Sequence, residues 1–177
     1  GMENKIRWGR FHREYGWWHG LFPLKPEQLK SQYDWFMVER NQYERLISEF
    51  YCKWGGVGRL KNIDHIDKTK FNLYIQDKIL NRDDKKKKVG HYTEQYKYLD
   101  QNIKINIIRF ENLELEFNNL MKRYKLHIVL NGKHNNPAKH AKKFTVNSFT
   151  PELLNLINRV YDKDFTEFGY EMIIPNK

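Results

Sequence analysis

Arg40 and Ser48 are the residues whose types and spacing best fit a single piece of chemistry, the holding of an anion. They lie in the stretch "YDWFMVERNQYERLISEFYCKW", residues 33–54. Arg40 follows directly on a short apolar run, Trp35 to Val38, and precedes a segment with helical spacing. An arginine at a strand end, beside a helix N-terminus, can grip a phosphate with its planar fork and with free backbone N–H groups. Asn41 stands at the same corner. Ser48 falls about two turns into the helix, off the apolar side marked by Leu46, Ile47 and Tyr51, where a hydroxyl can add a bond to the same anion. The same spacing also fits a surface ion pair for Arg40 and a solvated Ser48.

Positioning these residues takes a strand, a tight turn and a helix. Trp35 to Val38 reads as a buried strand. Tyr43, Leu46, Ile47, Phe50, Tyr51 and Trp54 recur at i, i+3, i+4 and i+7, which gives a helix with one apolar face, ended by Gly55-Gly56. A second unit of the same kind follows. "IKINIIRF", 103–110, reads as a strand, and Leu113, Phe117, Leu120, Met121 and Tyr124 mark the helix after it. Between the two units the periodicity predicts a helix over roughly 69–81. Near the end, Thr150 as N-cap, Pro151 at the first helical position and Glu152 in the first turn begin another helix. Residues 126–148 read as a short strand followed by a long basic loop. Two strand–helix units joined by helical material predict an α/β fold, with a parallel sheet and crossover helices, in one domain over residues 2–177. Ligands of such sheets bind beyond the carboxyl ends of the strands, where Arg40 falls.

The net charge of the 177-residue chain is +10, which favours anionic partners. Lys85–Lys88 and "GKHNNPAKHAKK", 132–143, hold much of it. Aromatic residues make up 15% of the chain, and they lie mainly on apolar helix faces, where they read as core rather than as platforms for stacked bases. A nucleic-acid-binding module is therefore disfavoured. Cys52 is the only cysteine, which excludes an internal disulfide and a multi-cysteine metal site. His134 and His140 have no third ligand at close spacing, so no metal is expected. No apolar run approaches the roughly 20 residues of a membrane span, and the N-terminus has no apolar signal segment, so the expected location is the cytoplasm.

"FMVERNQYERLISEFY" resembles the 3′-phosphate-binding signature of sulfotransferases that use 3′-phosphoadenosine 5′-phosphosulfate (PAPS), a pattern like F-x-x-V-R-N-P-Y-x-R-L-x-S-x-(F/Y). Arg40, Asn41, Tyr43, Arg45, Leu46 and Ser48 match at the same internal spacing. Gln42 stands where the family usually has Pro, and Glu39 where Val or Arg is usual. Three further blocks are similar to the family in the same order: "GHYTEQYKYL" (90–99), "IIRFENLELEFNNL" (107–120) and "FTPELLNLINRVYDKDFTEFGYE" (149–171). The resemblance implies a P-loop-like, three-layer sulfotransferase fold and transfer of a sulfuryl group from PAPS to a hydroxyl, with a carbohydrate as the expected acceptor and adenosine 3′,5′-bisphosphate as product. It places Arg40, Asn41 and Ser48 at the donor's 3′-phosphate.

A general base should lie opposite the donor. The resemblance points to His19, in "YGWWHGLFP", with His12 second. Lys139, Lys142 and Lys143 fall in a loop that in the family often returns basic residues to the nucleotide. Nothing before Trp35 resembles the family's 5′-phosphosulfate loop, of the type P-K-T-(G/A)-G-T-S. The expectation is therefore a fold truncated at its N-terminus, either a fragment or a variant that has lost sulfuryl transfer and keeps a nucleotide or polyanion site. Its open sheet edge would be covered by the N-terminal segment or by a second copy in a homodimer.

Overall fold

The computed structural model describes residues 33–53, 56–60, 62–82, 90–130 and 143–175. Among them are two strands and five α-helices: β1 (Trp35–Glu39), α1 (Gln42–Phe50), α2 (Lys68–Leu80), β2 (Ile105–Arg109), α3 (Leu113–Arg123), α4 (Pro151–Val160) and α5 (Asp162–Phe168). The strands pair in parallel, with Trp35 opposite Ile105 and Glu39 opposite Arg109. A parallel pair needs a long crossover, which the chain supplies through α1 and α2. The protein is thus mixed α/β, with a sheet of two strands among the described residues.

The sheet does not form the centre of the main core. That core is helical and aromatic: Tyr43, Leu46, Ile47 and Phe50 of α1 pack with Phe71, Ile75 and Ile79 of α2, with Leu153 and Ile157 of α4, and with Phe165 of α5. Phe144 stacks on Phe71 with ring centroids 4.3 Å apart, and Phe50 meets Phe71 edge-on at 4.9 Å. Such pairs add about 0.5–1.5 kcal/mol each to the area they bury. A separate small cluster, Ile108 with Leu120 and Met121, fixes α3 to β2.

Several sequence expectations need correction. The first helix ends at Phe50, a turn earlier than its apolar pattern suggests. Tyr51 caps it, and the chain folds back so that the Val57 N–H donates to the Phe50 carbonyl at 2.8 Å. Tyr51 still serves the core, because its hydroxyl accepts from the N–H groups of Lys143 and Phe144. Trp54 and Gly55 lie outside the described residues. A Cβ on Gly56 would stand 2.0 Å from the Glu49 carbonyl oxygen, so only glycine allows this close return over the helix end. The expected strand after Leu126 is absent: residues 126–130 are irregular. Leu130 is held there through its N–H, which donates to the side chain of Asn118. The middle helix spans Lys68–Leu80 with Asp67 as its cap, and the last Thr150-capped helix begins at Pro151, as the sequence predicts. The expected N-terminal covering of the sheet edge falls on residues 1–32, outside the described residues. Among the described residues no helix is long and apolar enough to cross a membrane.

Candidate anion-binding site

β1 ends at Glu39, and α1 begins at Gln42. Arg40 and Asn41 make the corner between them. The backbone of Arg40 is completed by one side chain, that of Gln95: its Oε1 accepts from the Arg40 N–H at 3.1 Å, and its Nε2 donates to the Arg40 carbonyl at 2.8 Å. The Gln95 amide thus takes the place of a third strand at this point. Asn41 is the helix cap, its Oδ1 accepting from the N–H groups of Tyr43 at 3.0 Å and Glu44 at 3.5 Å. Its own N–H donates to Glu111 Oε1 at 3.1 Å.

The Arg40 guanidinium lies over the Phe110 ring, 4.4 Å from its centroid, and 3.6 Å from a Glu44 carboxylate oxygen. Its Nε is buried without a hydrogen-bond partner. Burial pulls the guanidinium down from its usual range, and Glu44 and Glu111 oppose that pull. Glu44 and Ser48 are spaced by four and share one face of the helix, and Arg40 stands just before its cap. Ser48 is half-buried, and from Asn41 to Ser48 the helix rises about 10 Å. The Glu44 carboxylate, paired with Arg40, competes for that cation with any anion brought to the helix face of Ser48.

Arg45 has a different role from Arg40. Its Nη2 donates to the carbonyls of His91 and Thr93, each at 2.7 Å, and its Nη1 donates to Gln42 Oε1 at 3.1 Å. Gln42 in turn donates to Asp164, a buried carboxylate of α5. Asp164 also accepts from the N–H groups of Gln95 at 2.8 Å and Tyr96 at 2.7 Å. Burial pushes the Asp164 carboxyl up, against the pull of those two N–H groups.

Sequence reasoning missed the cluster on the other side of the corner. Glu39 is fully buried. Its Oε1 is 3.0 Å from the Tyr170 hydroxyl and 3.6 Å from Arg109 Nε, and its Oε2 has no hydrogen-bond partner. Burial pushes the Glu39 carboxyl up to about 7. The cation beside Glu39 is Arg109, its register partner across the sheet. Tyr170 also meets Glu111 Oε2 at 2.7 Å. Burial raises the Glu111 carboxyl, but the bonds from Tyr170 and the Asn41 N–H outweigh it and hold Glu111 below the usual carboxylate range. Burial and the two carboxylates push the Tyr170 phenol up, so it keeps its proton. Arg109 lies 5.1 Å from the centroid of the Tyr170 ring and donates through Nη2 to the Phe168 carbonyl at 2.7 Å. Gly169, left-handed at φ 66°, ends α5 and turns Tyr170 into this cluster. The sequence signal for these residues lay in the third and fourth blocks, in "RFEN" and "FGY".

The four blocks therefore meet at one place, the carboxyl end of β1. Arg45 of the first holds His91 and Thr93 of the second, the Arg40 backbone pairs with Gln95, and Asp164 of the fourth ties Gln42 to Gln95. Glu111 of the third and Tyr170 of the fourth close on Asn41 and Glu39 of the first. Of the residues expected at the site, Arg40, Asn41 and Ser48 share α1 and its entry, whereas His12, His19, Lys139 and Lys142 lie outside the described residues. The Lys143 ammonium is engaged elsewhere, donating to the carbonyls of Asp64 at 3.1 Å and Ile66 at 3.0 Å. Among the described residues no group of His, Cys, Asp and Glu could hold a metal ion. No family model, curated protein or solved structure matches this chain.

Proposed function

We propose that the chain is a PAPS-dependent sulfotransferase of P-loop-like fold, acting on a carbohydrate hydroxyl, and that Arg40 and Ser48 hold the 3′-phosphate of its donor. The observation that supports this reading is the meeting of all four family-like blocks at the carboxyl end of β1. The end of a parallel strand is where such sheets take their ligands. Arg40 brings a partly buried cation whose Nε has no hydrogen-bond partner, and carboxylates already pair with it and with the Asn41 N–H, so these groups can engage negative charge.

In the proposed reaction the acceptor oxygen bonds to sulfur, and the bond from sulfur to the 5′-phosphate oxygen breaks. The acceptor proton passes to a base, and adenosine 3′,5′-bisphosphate leaves. Arg40 and Ser48 position the donor and do not touch the bond that breaks. His19, then His12, are the proposed bases; Asn41, Lys139 and Lys142 complete the proposed donor contacts.

Thermal unfolding with adenosine 3′,5′-bisphosphate tests this. The expected result is a rise in Tm that Arg40→Ala abolishes and Ser48→Ala reduces. A melting temperature indifferent to the nucleotide, or a rise that survives Arg40→Ala, overturns the assignment. Transfer of labelled sulfate from PAPS to a panel of glycans tests turnover. Binding without transfer would leave a nucleotide-binding protein of the same fold.

A further inference from the structure

Tyr170 has one hydroxyl proton and two carboxylate neighbours, Glu111 Oε2 at 2.7 Å and Glu39 Oε1 at 3.0 Å. One proton cannot serve both bonds. If both are hydrogen bonds, the second proton must come from a carboxyl group. Glu111 is the poorer candidate, because its other oxygen accepts from the Asn41 N–H, which favours the ionised form. Glu39 is the better one. It is fully buried, its Oε2 has no partner, and its cation, Arg109, stands 3.6 Å away with a donor already given to Phe168. The arrangement that fits is Glu39 protonated on Oε1 and donating to Tyr170, with Tyr170 donating to ionised Glu111.

This chain of protons ends on the anion-binding corner. Glu111 bonds the Asn41 N–H with one oxygen and Tyr170 with the other, and Arg40 feels the charge of Glu111. We propose that the proton on Glu39 controls the anion affinity of the Arg40–Asn41 corner: with the proton in place the corner accepts a doubly charged anion, and its loss weakens that binding. The physical cause is Coulombic. Deprotonation puts a second negative charge beside the Tyr170–Glu111 pair, and Glu111 borders both the Asn41 N–H and the Arg40 cation that must hold the anion. By linkage, the bound anion draws the proton in to the same extent.

The groups facing Glu39 are Arg109 from β2, Glu111 from the turn after it, Glu116 from α3 and Tyr170 from the C-terminal segment. Burial opposes the ionised form most, with Glu111 and Glu116 adding to it, while a bond from Tyr170 and the charge of Arg109 favour ionisation and are outweighed. A Glu39 carboxyl near 7 places the transition at neutral pH. Glu39 is also where this chain departs from the family pattern, so the device belongs to this chain.

The inference rests on reading the corner as an anion site, and inorganic sulfate tests the two ideas separately, since sulfate stays doubly charged from pH 6 to pH 8. At constant ionic strength, the apparent sulfate affinity from thermal-shift titration is expected to fall about tenfold across that range, the effect of one unit of proton-affinity change. Glu39→Gln, neutral and able to donate, is expected to keep the pH 6 affinity at pH 8. Sulfate binding that is absent, or unaffected by Arg40→Ala, overturns the anion site itself. Binding that needs Arg40 but is flat with pH, or that keeps its slope in Glu39→Gln, overturns the proton control. An infrared band of a protonated carboxyl, present in the unsubstituted protein at pH 6 and lost by pH 8, supports the proposal without any variant. Its absence at both pH values overturns it.

Discussion

Gln42 donates a hydrogen bond to Asp164 across 122 residues of chain, between two side chains that are both buried. This bond joins the first turn of α1 to α5 and stands where the resembled family has a proline. Proline would suit the backbone at a first helical position. Gln42→Pro should therefore keep the helix yet lose the buried bond and the acceptor that Arg45 uses. The expected cost is about 1–3 kcal/mol, read as a lower midpoint in urea with an unchanged slope. A stability equal to wild type would mean that the Asp164 network gives no net support.

Arg45 holds the second block by two carbonyls at 2.7 Å. A lysine there keeps the charge and loses the fork. Arg45→Lys should cost about 1–3 kcal/mol and should loosen the 91–93 turn. Hydrogen exchange at Gln95 and Tyr96, whose N–H groups bond Asp164, is the local readout; faster exchange there is expected, with little change in α2.

Glu44 competes with any anion for Arg40. It is partly exposed, so the ion pair itself contributes at most about 1 kcal/mol. Glu44→Gln should then raise affinity for adenosine 3′,5′-bisphosphate by up to about fivefold, with little change in stability without ligand. Isothermal titration measures it. An unchanged or lower affinity would place the anion away from Arg40 and Ser48.

Glu39 gives stability a particular pH dependence. Its carboxyl is raised from 4.5 to about 7 in the folded protein, so the folded state holds the proton more tightly than the unfolded chain. The stability this contributes is full below pH 4.5 and is lost as pH rises toward about 7. Glu39→Gln should remove that loss and leave the protein more stable than wild type at pH 8, by roughly 1–3 kcal/mol. Urea unfolding at pH 5 and pH 8 measures the difference. Equal pH slopes for the two proteins would sink the claim.

Gly169 occupies φ 66°, and a Cβ there would meet Arg109 Nη2 at 3.3 Å. Gly169→Ala should cost about 1–2 kcal/mol in backbone strain and push the Arg109 guanidinium from its place beside Tyr170 and the Phe168 carbonyl. A reduced Tm is expected, together with a shifted ring environment for Tyr170 in its NMR spectrum.

The sequence by itself determined the local elements. Apolar spacing located α1, α2, α3 and α4, the apolar residues of 103–110 located β2, and Thr150 with Pro151 fixed a helix start. These signals are local, and the apolar faces of α1, α2 and α4 are buried as they require, whereas Phe36 and Val38 of β1 are exposed, so that strand is not the buried one its apolar run suggests. The four blocks and their order were also legible, as was the placing of Arg40 at a strand end. Tertiary structure alone decided the rest. The helical rather than sheet-centred core depends on how α1, α2, α4 and α5 meet, which no single segment encodes. Phe50 ends α1 because the chain returns over its last carbonyls at Gly56. Glu39, in sequence an unwelcome charge beside an anion site, becomes a buried carboxyl facing Arg109 and Tyr170, and only the pairing of β1 with β2 and the turn at Gly169 bring those three groups together.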